Sequence, residues 1–156
     1  MNTPVILGID PGKEGALAAL DAATGALIWV EDMPDPLTGA LVADLLANEV
    51  VVAAMVELQV GRPGQSSSAM FKFGTGYGLI LGVLGALRIP YELATAGKWK
   101  ANQRVTADKA TSRRRAIELW PAHSELFKLV KHTDRAEAAL IARYGWQRTA
   151  AGGAAA

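Results

Sequence analysis

The sequence predicts an α/β fold, a mixed five-stranded sheet with helices on both faces. Three observations carry this expectation. Three short β-like runs come first, separated by turns short enough for antiparallel hairpins. Helical and strand-like segments then alternate to the end of the chain. Between them lies a continuous Val-rich run, VVVAAMVELQ, of the type found in strands buried on both faces.

Taken in order, the first three strands are expected at residues 5–10, 16–22 and 26–32, with "KEGA" and "ATG" as the connecting turns. In "LTGALVADLLANE", Leu37, Leu41, Leu45 and Leu46 recur at helical spacing, with Thr38 placed to cap the helix. The Val-rich strand follows, and its one ionisable residue is Glu57, near its end. "GRPGQSSSAMFKFG" reads as a turn at Arg62-Pro63-Gly64 that opens, through a serine cap, into a helix reaching about residue 87. Gly74, Gly76, Gly78, Gly82 and Gly85 oppose that helix on propensity. They suggest close packing against a sheet, or a backbone that approaches a ligand. "PYELATA" is the fifth strand, and the basic segment "GKWKANQRVTADK" is expected as a connection. An amphipathic helix over about 107–119 is stopped by Pro121, and a last helix runs from near Asp134 to about Tyr144. The expected organisation is one domain over residues 1–146 and a flexible low-complexity tail over 147–156.

Composition narrows the class. The chain has 156 residues, of which 51% are hydrophobic and 20% charged, as in ordinary globular proteins. It has no cysteine, which excludes a disulfide scaffold and thiolate zinc sites and agrees with a reducing cytoplasm. No basic leader precedes an apolar segment, so no signal peptide is expected. The longest apolar stretch, about 78–87, is too short and too glycine-rich to span a bilayer, and no membrane partner is expected. The net charge of +1 conceals an asymmetry. Residues 1–87 carry three Lys/Arg against nine Asp/Glu, a balance of −6; residues 88–156 carry thirteen against six, a balance of +7. Such a division suggests a polyanionic partner met partly through metal ions.

The acids fall at informative places. Asp10 closes the first strand and is followed at once by Pro11-Gly12, while Glu57 closes the buried strand. A buried, unpaired carboxylate is prohibitively costly, so Asp10 needs water or a cation. Asp134 and Glu137, three residues apart, share a helix face with Cβ atoms roughly 5–6 Å apart. Four converging carboxylates would raise one another's pKa values. Divalent cations reverse that, and hard oxygen ligands are those Mg²⁺ prefers. Two such ions about 3.5–4 Å apart can activate water and stabilise the leaving oxygen of a phosphodiester.

The order β-β-β-α-β-α-β-α-α is that of the ribonuclease-H-like arrangement, shared with the actin-like ATPases. The words "GIDPGKEGALAALD", "VELQVGRPGQSSSAMFKFGTGYGLILGVL", "GKWK", "ADKATSRRRAIELWP" and "DRAEAALIARYG" resemble the RuvC family of Holliday-junction resolvases, in particular its phage-encoded branch. The resemblance spans about residues 5–145. It implies a ribonuclease-H-like nuclease domain and a homodimer acting in the cytoplasm of a bacterial or phage-infected cell. The implied activity is metal-dependent cleavage of four-way and other branched DNA. The metal ligands would be Asp10, Glu57, Asp134 and Glu137, holding two Mg²⁺ with Mn²⁺ able to substitute. Bacterial relatives usually end this quartet with Asp, so Glu137 is a departure by one methylene.

Lys109 is the residue expected near the scissile phosphate. Arg62, Lys98, Lys100, Arg104, Arg113 and Arg114 are candidates for phosphate contacts, as is Arg115; three consecutive arginines on a helix must point three ways. His132 is either a member of the site or a solvated loop residue. Trp99 is placed either to meet nucleic acid or to anchor its loop. Phe71 and Phe73 are expected chiefly in the core, with stacking on bases as the alternative. Two further activities stay open: a structure-selective DNA-binding protein weak in catalysis, and a nuclease acting on RNA or RNA–DNA hybrids. An actin-like ATPase needs a second, duplicated domain that 156 residues cannot hold.

Overall fold

The computed structural model describes residues 2–12 and 14–153. Five strands, β1 (Pro4–Asp10), β2 (Ala16–Asp21), β3 (Leu27–Asp32), β4 (Val50–Glu57) and β5 (Tyr91–Ala94), form one sheet in the order β3-β2-β1-β4-β5. The hairpin partners β1–β2 and β2–β3 are antiparallel, whereas β1–β4 and β4–β5 are parallel. The mixed sheet is therefore as the sequence predicts.

Period-two alternation assigns the two faces. Val5, Leu7 and Ile9 of β1, Leu17 and Ala19 of β2, and Ala54 and Val56 of β4 pack with α1 (Gly39–Leu46) and α2 (Ser67–Ala86). Thr38 and Ser66 cap these helices, accepting the N–H groups of Leu41 and Ala69 at 3.2 Å. The opposite face, with Ala16, Ala18, Leu20 and Met55, packs against α4 (Lys109–Leu119) and α5 (Thr133–Gly153). Asp108 caps α4 by accepting the Ala110 N–H at 3.0 Å.

Three elements differ from expectation. The basic segment taken as a connection is a helix, α3 (Ala96–Gln103), capped by Thr95 and ended by Arg104 in the left-handed region at φ 60°. Two 3₁₀ turns, Pro121–Leu126 and Val130–His132, fill the link before α5. The last helix continues past Tyr144 to Gly153, through part of the segment expected as a tail; residues 154–156 lie outside the described residues. In addition, α2 extends the apolar run well N-terminal of residue 78. By length and mean hydropathy, 1.3, it is the one helix among the described residues able to cross a membrane, although Ile80 and Leu84 pack in the core.

The central helix α5 lies directly on β1, and Gly8 makes that possible. A Cβ at Gly8 would come within 2.1 Å of the Ala142 N and 2.2 Å of the Ala138 O. No side chain fits there. Ala136, Ala138, Ala139, Leu140, Ile141 and Ala142 are all fully buried, so α5 is enclosed by the sheet and by the helices over it.

Candidate metal centre

The contact at Gly8 fixes where the carboxylates meet. Asp10 lies two residues further along β1 on the same face, about 7 Å on. One turn back along α5 from Ala138 and Ile141 are Asp134 and Glu137, about 6 Å toward the N-terminus. The two progressions converge: one carboxylate oxygen each of Asp10, Asp134 and Glu137 lie within 4.8 Å of one another. Glu57 ends β4 on the face of Met55 and so points to the same side of the sheet.

The turn after β1 holds Asp10 in place. Its Oδ1 accepts the Gly12 N–H at 3.1 Å, and the Gly15 N–H donates to the Gly12 carbonyl at 2.9 Å. Gly15 passes so close that a Cβ there would lie 2.0 Å from the Asp10 carbonyl. Asp10 is 8% exposed and Glu137 7%. Burial first, and then the negative charge of Glu57, Asp134 and Glu137, raise the Asp10 pKa to about 7 against the pull of the Gly12 N–H. Burial also raises Glu57, opposed by a hydrogen bond from Trp99, and raises Asp134, opposed by the charge of Lys109.

Each of the other acids has its own partners. Glu57 Oε2 accepts the Trp99 indole N–H at 2.7 Å and Oε1 accepts Gln59 Nε2 at 3.1 Å, so Glu57 stands beside the three-way cluster. Glu137 Oε1 meets Lys100 Nζ at 3.1 Å and the Ser112 hydroxyl at 3.3 Å. Lys109 Nζ lies 3.8 Å from Asp134 Oδ1, with its side chain 69% exposed. Lys100 and Lys109, one expected as a phosphate contact and the other near the reacting group, thus both border the acids.

The remaining basic candidates divide by engagement. Arg62, Lys98, Arg104 and Arg114 are exposed. Arg113 is half-buried and donates Nη1 to the Lys128 carbonyl at 3.2 Å, and Arg115 bonds the Gln103 carbonyl and Glu118. His132 is buried, its Nδ1 accepting the Leu129 N–H at 3.3 Å, which removes the solvated-loop alternative. Trp99 is fully buried, so its face is closed to bases and it anchors α3. Phe71 reverses the other way: expected chiefly in the core, it is 76% exposed. With Pro11, Gly12, Lys72, Phe73 and Leu79 it borders a groove of about 590 Å³ that reaches the Asp10 turn.

Sequence reasoning missed Ser112 and the Trp99–Glu57 bond. Ser112 carried a legible signal, a small polar residue on the inward face of α4 beside Ala116. Trp99 had none, because a basic segment of weak apolar periodicity does not announce a buried indole.

The sequence matches no protein-family model and no curated protein. The structure, however, is similar to RuvC of Thermus thermophilus in complex with a Holliday junction substrate. That pair shows 18% identity over 91% of this chain and 96% of the other, with a TM-score of 0.62. A second Thermus thermophilus RuvC structure aligns at 19% identity over 90% and 96%, with a TM-score of 0.58. The fowlpox virus Holliday junction resolvase aligns at 14% identity over 93% and 99%, with a TM-score of 0.55. The fold is thus the ribonuclease-H-like α/β fold of these resolvases, over nearly the whole length of both partners.

Proposed function

We propose that the chain is a metal-dependent endonuclease that cuts four-way and other branched DNA. The observation that carries this is the convergence of Asp10, Asp134 and Glu137, with Glu57 beside them, on a fold shared with Holliday junction resolvases. Burial and mutual repulsion leave Asp10 half-neutral near pH 7, a state that a nearby cation removes. The donor set is all carboxylate oxygen and suits Mg²⁺, with Mn²⁺ as a substitute. Asp10, Glu57, Asp134 and Glu137 would hold two ions. Bound there, they supply an activated water and charge neutralisation at phosphorus.

The chain's own residues do the rest. Lys109, exposed beside Asp134, reaches toward the backbone and stabilises negative charge developing on the phosphate. Lys100 offsets the charge of Glu137. Arg62, Lys98, Arg104 and Arg114 contact phosphates; Arg113 supports them through its hold on the Lys128 carbonyl. Water attacks phosphorus, the bond to the 3′ oxygen breaks, and the products carry a 5′-phosphate and a 3′-hydroxyl. A homodimer suits a four-way junction, which offers two symmetry-related strands. Support for it lies on α2. Gly74, Gly78, Gly82 and Gly85 have open space where a Cβ would stand, and exposed Met70, Phe71 and Leu87 lie on the same helix or at its end. The reading places the protein in the cytoplasm of a bacterial or phage-infected cell.

The test pairs binding with cutting. Asp10→Asn is expected to lower cleavage of a four-way junction roughly a thousandfold, while junction affinity in a gel-shift titration changes little. Cleavage at the wild-type rate would overturn the proposal.

A further inference from the structure

We propose that Trp99 is a positioning residue for the metal centre. Its indole N–H holds one oxygen of Glu57, so that Glu57 offers a cation only the other oxygen, the one Gln59 now occupies. The inference rests on the metal-site reading above and adds a role for a residue that touches no substrate.

The two hydrogen bonds to Glu57 are unequal. The bond from Trp99 is 2.7 Å, a short charge-assisted contact, whereas that from Gln59 is 3.1 Å. An indole N–H only donates, and inside a protein it needs an acceptor. Trp99 is fully buried and cannot exchange Glu57 for water. Gln59 is half-buried in the segment after β4, two residues from Glu57, and its amide can turn to solvent. A cation arriving at Glu57 therefore displaces Gln59 and leaves the indole bond intact.

The support of Trp99 is itself rigid. Its backbone N–H donates to the Thr95 carbonyl at 3.3 Å, in the first turn of α3. At the other end of α3, Gln103 is fully buried; its Oε1 accepts Arg143 Nη1 at 2.9 Å and its Nε2 donates to Gln147 Oε1 at 2.8 Å, both on α5. The next residue, Lys100, places Nζ 5.1 Å from the Trp99 ring centroid and 3.1 Å from Glu137 Oε1. Consecutive residues of α3 thus engage two different acids and set the distance between Glu57 and Glu137.

The test uses the intact chain and Mn²⁺ as the probe. Titrations followed by the electron paramagnetic resonance of free Mn²⁺ compare wild type with Trp99→Phe, and urea unfolding in EDTA reports the stability of each. Residues that orient metal ligands typically change metal affinity by 10–100-fold, so Trp99→Phe is expected to weaken Mn²⁺ binding about tenfold. A merely structural role would lower the urea midpoint and leave the affinity of the folded protein unchanged. In the wild type, where folding is not at issue, Mg²⁺ is added to ¹⁵N-labelled protein. The Trp99 indole proton is expected to stay strongly downfield while the Gln59 side-chain amide shifts. Equal Mn²⁺ affinity in folded Trp99→Phe, or an indole proton that moves to a free position on adding Mg²⁺, overturns this inference alone. Failure of the wild type to bind Mn²⁺ overturns the metal-site reading and this inference with it.

Discussion

Asp10 is a buried carboxylate under strain from its neighbours. In the metal-free protein its pKa is about 7, raised by burial and by three neighbouring acids, whereas in the unfolded chain it has an ordinary carboxylate value. The folded state therefore holds the Asp10 proton more tightly than the unfolded state does. Stability from this group is fully present below about pH 4 and is lost as pH rises through about 7. In EDTA, wild type is expected to lose about 2–4 kcal/mol more than Asp10→Asn between pH 4 and pH 8, as read from urea midpoints. Adding Mg²⁺ at pH 8 should restore the wild type and leave the variant unchanged. Parallel pH profiles for the two proteins would mean that Asp10 is not under this tension. Lys109 makes a second prediction at this scale. Because its amine is exposed and only 3.8 Å from Asp134, Lys109→Ala should slow junction cleavage about 10–100-fold while weakening binding only a few-fold. Equal losses in rate and affinity would make it a phosphate anchor instead.

The elements explain why these residues meet. The C-terminal ends of two neighbouring parallel strands, β1 and β4, present Asp10 and Glu57, and the N-terminal turn of α5 presents Asp134 and Glu137. The join depends on the backbone approach at Gly8. Overpacking in a core typically costs 1–3 kcal/mol. Here the added methyl would meet helix backbone rather than a yielding side chain, so Gly8→Ala should cost about 3 kcal/mol or more and expel α5 from the sheet. An unchanged urea midpoint would contradict the packing described. Much of this was legible in sequence. Short β-like runs between turns and one continuous Val-rich run marked the strands, Thr38 marked a helix start, and the three-residue spacing of Asp134 and Glu137 put them on one face. What was not legible depended on contacts distant in sequence. Helix α3 is short, basic and poor in apolar repeats, and it is held by Trp99 on Glu57 and Gln103 on α5 rather than by its own pattern. The last helix outran its expected end because, beyond Gly145, Trp146 packs against the core and Gln147 accepts a hydrogen bond from buried Gln103. Phe71 looked like a core residue by type alone, yet it stands exposed near the start of α2.

At the scale of the whole molecule, charge is arranged around the acidic centre. The acids sit at strand ends in the first half of the chain and at the start of α5; most of the basic residues lie in the second half. Of these, Lys100 and Lys109 stand beside the acids themselves, on Glu137 and Asp134. The exposed glycine stripe of α2 supplies the complementary prediction for the assembly. Gly78 has open space about it, so on the proposed homodimer the wild type is expected to sediment as a dimer and Gly78→Glu, which should fold normally, as a monomer. A variant that remains dimeric would move the interface elsewhere. The central claim, a metal-dependent nuclease selective for branched DNA, is tested most directly by strand-resolved cleavage of a mobile four-way junction. A linear duplex and an RNA–DNA hybrid are run beside it, with Mg²⁺ and with EDTA. Paired, symmetric nicks in the junction alone, absent in EDTA, are the predicted result; tight junction binding with no cutting in Mg²⁺ or Mn²⁺, or cutting of the hybrid in place of the junction, would contradict it.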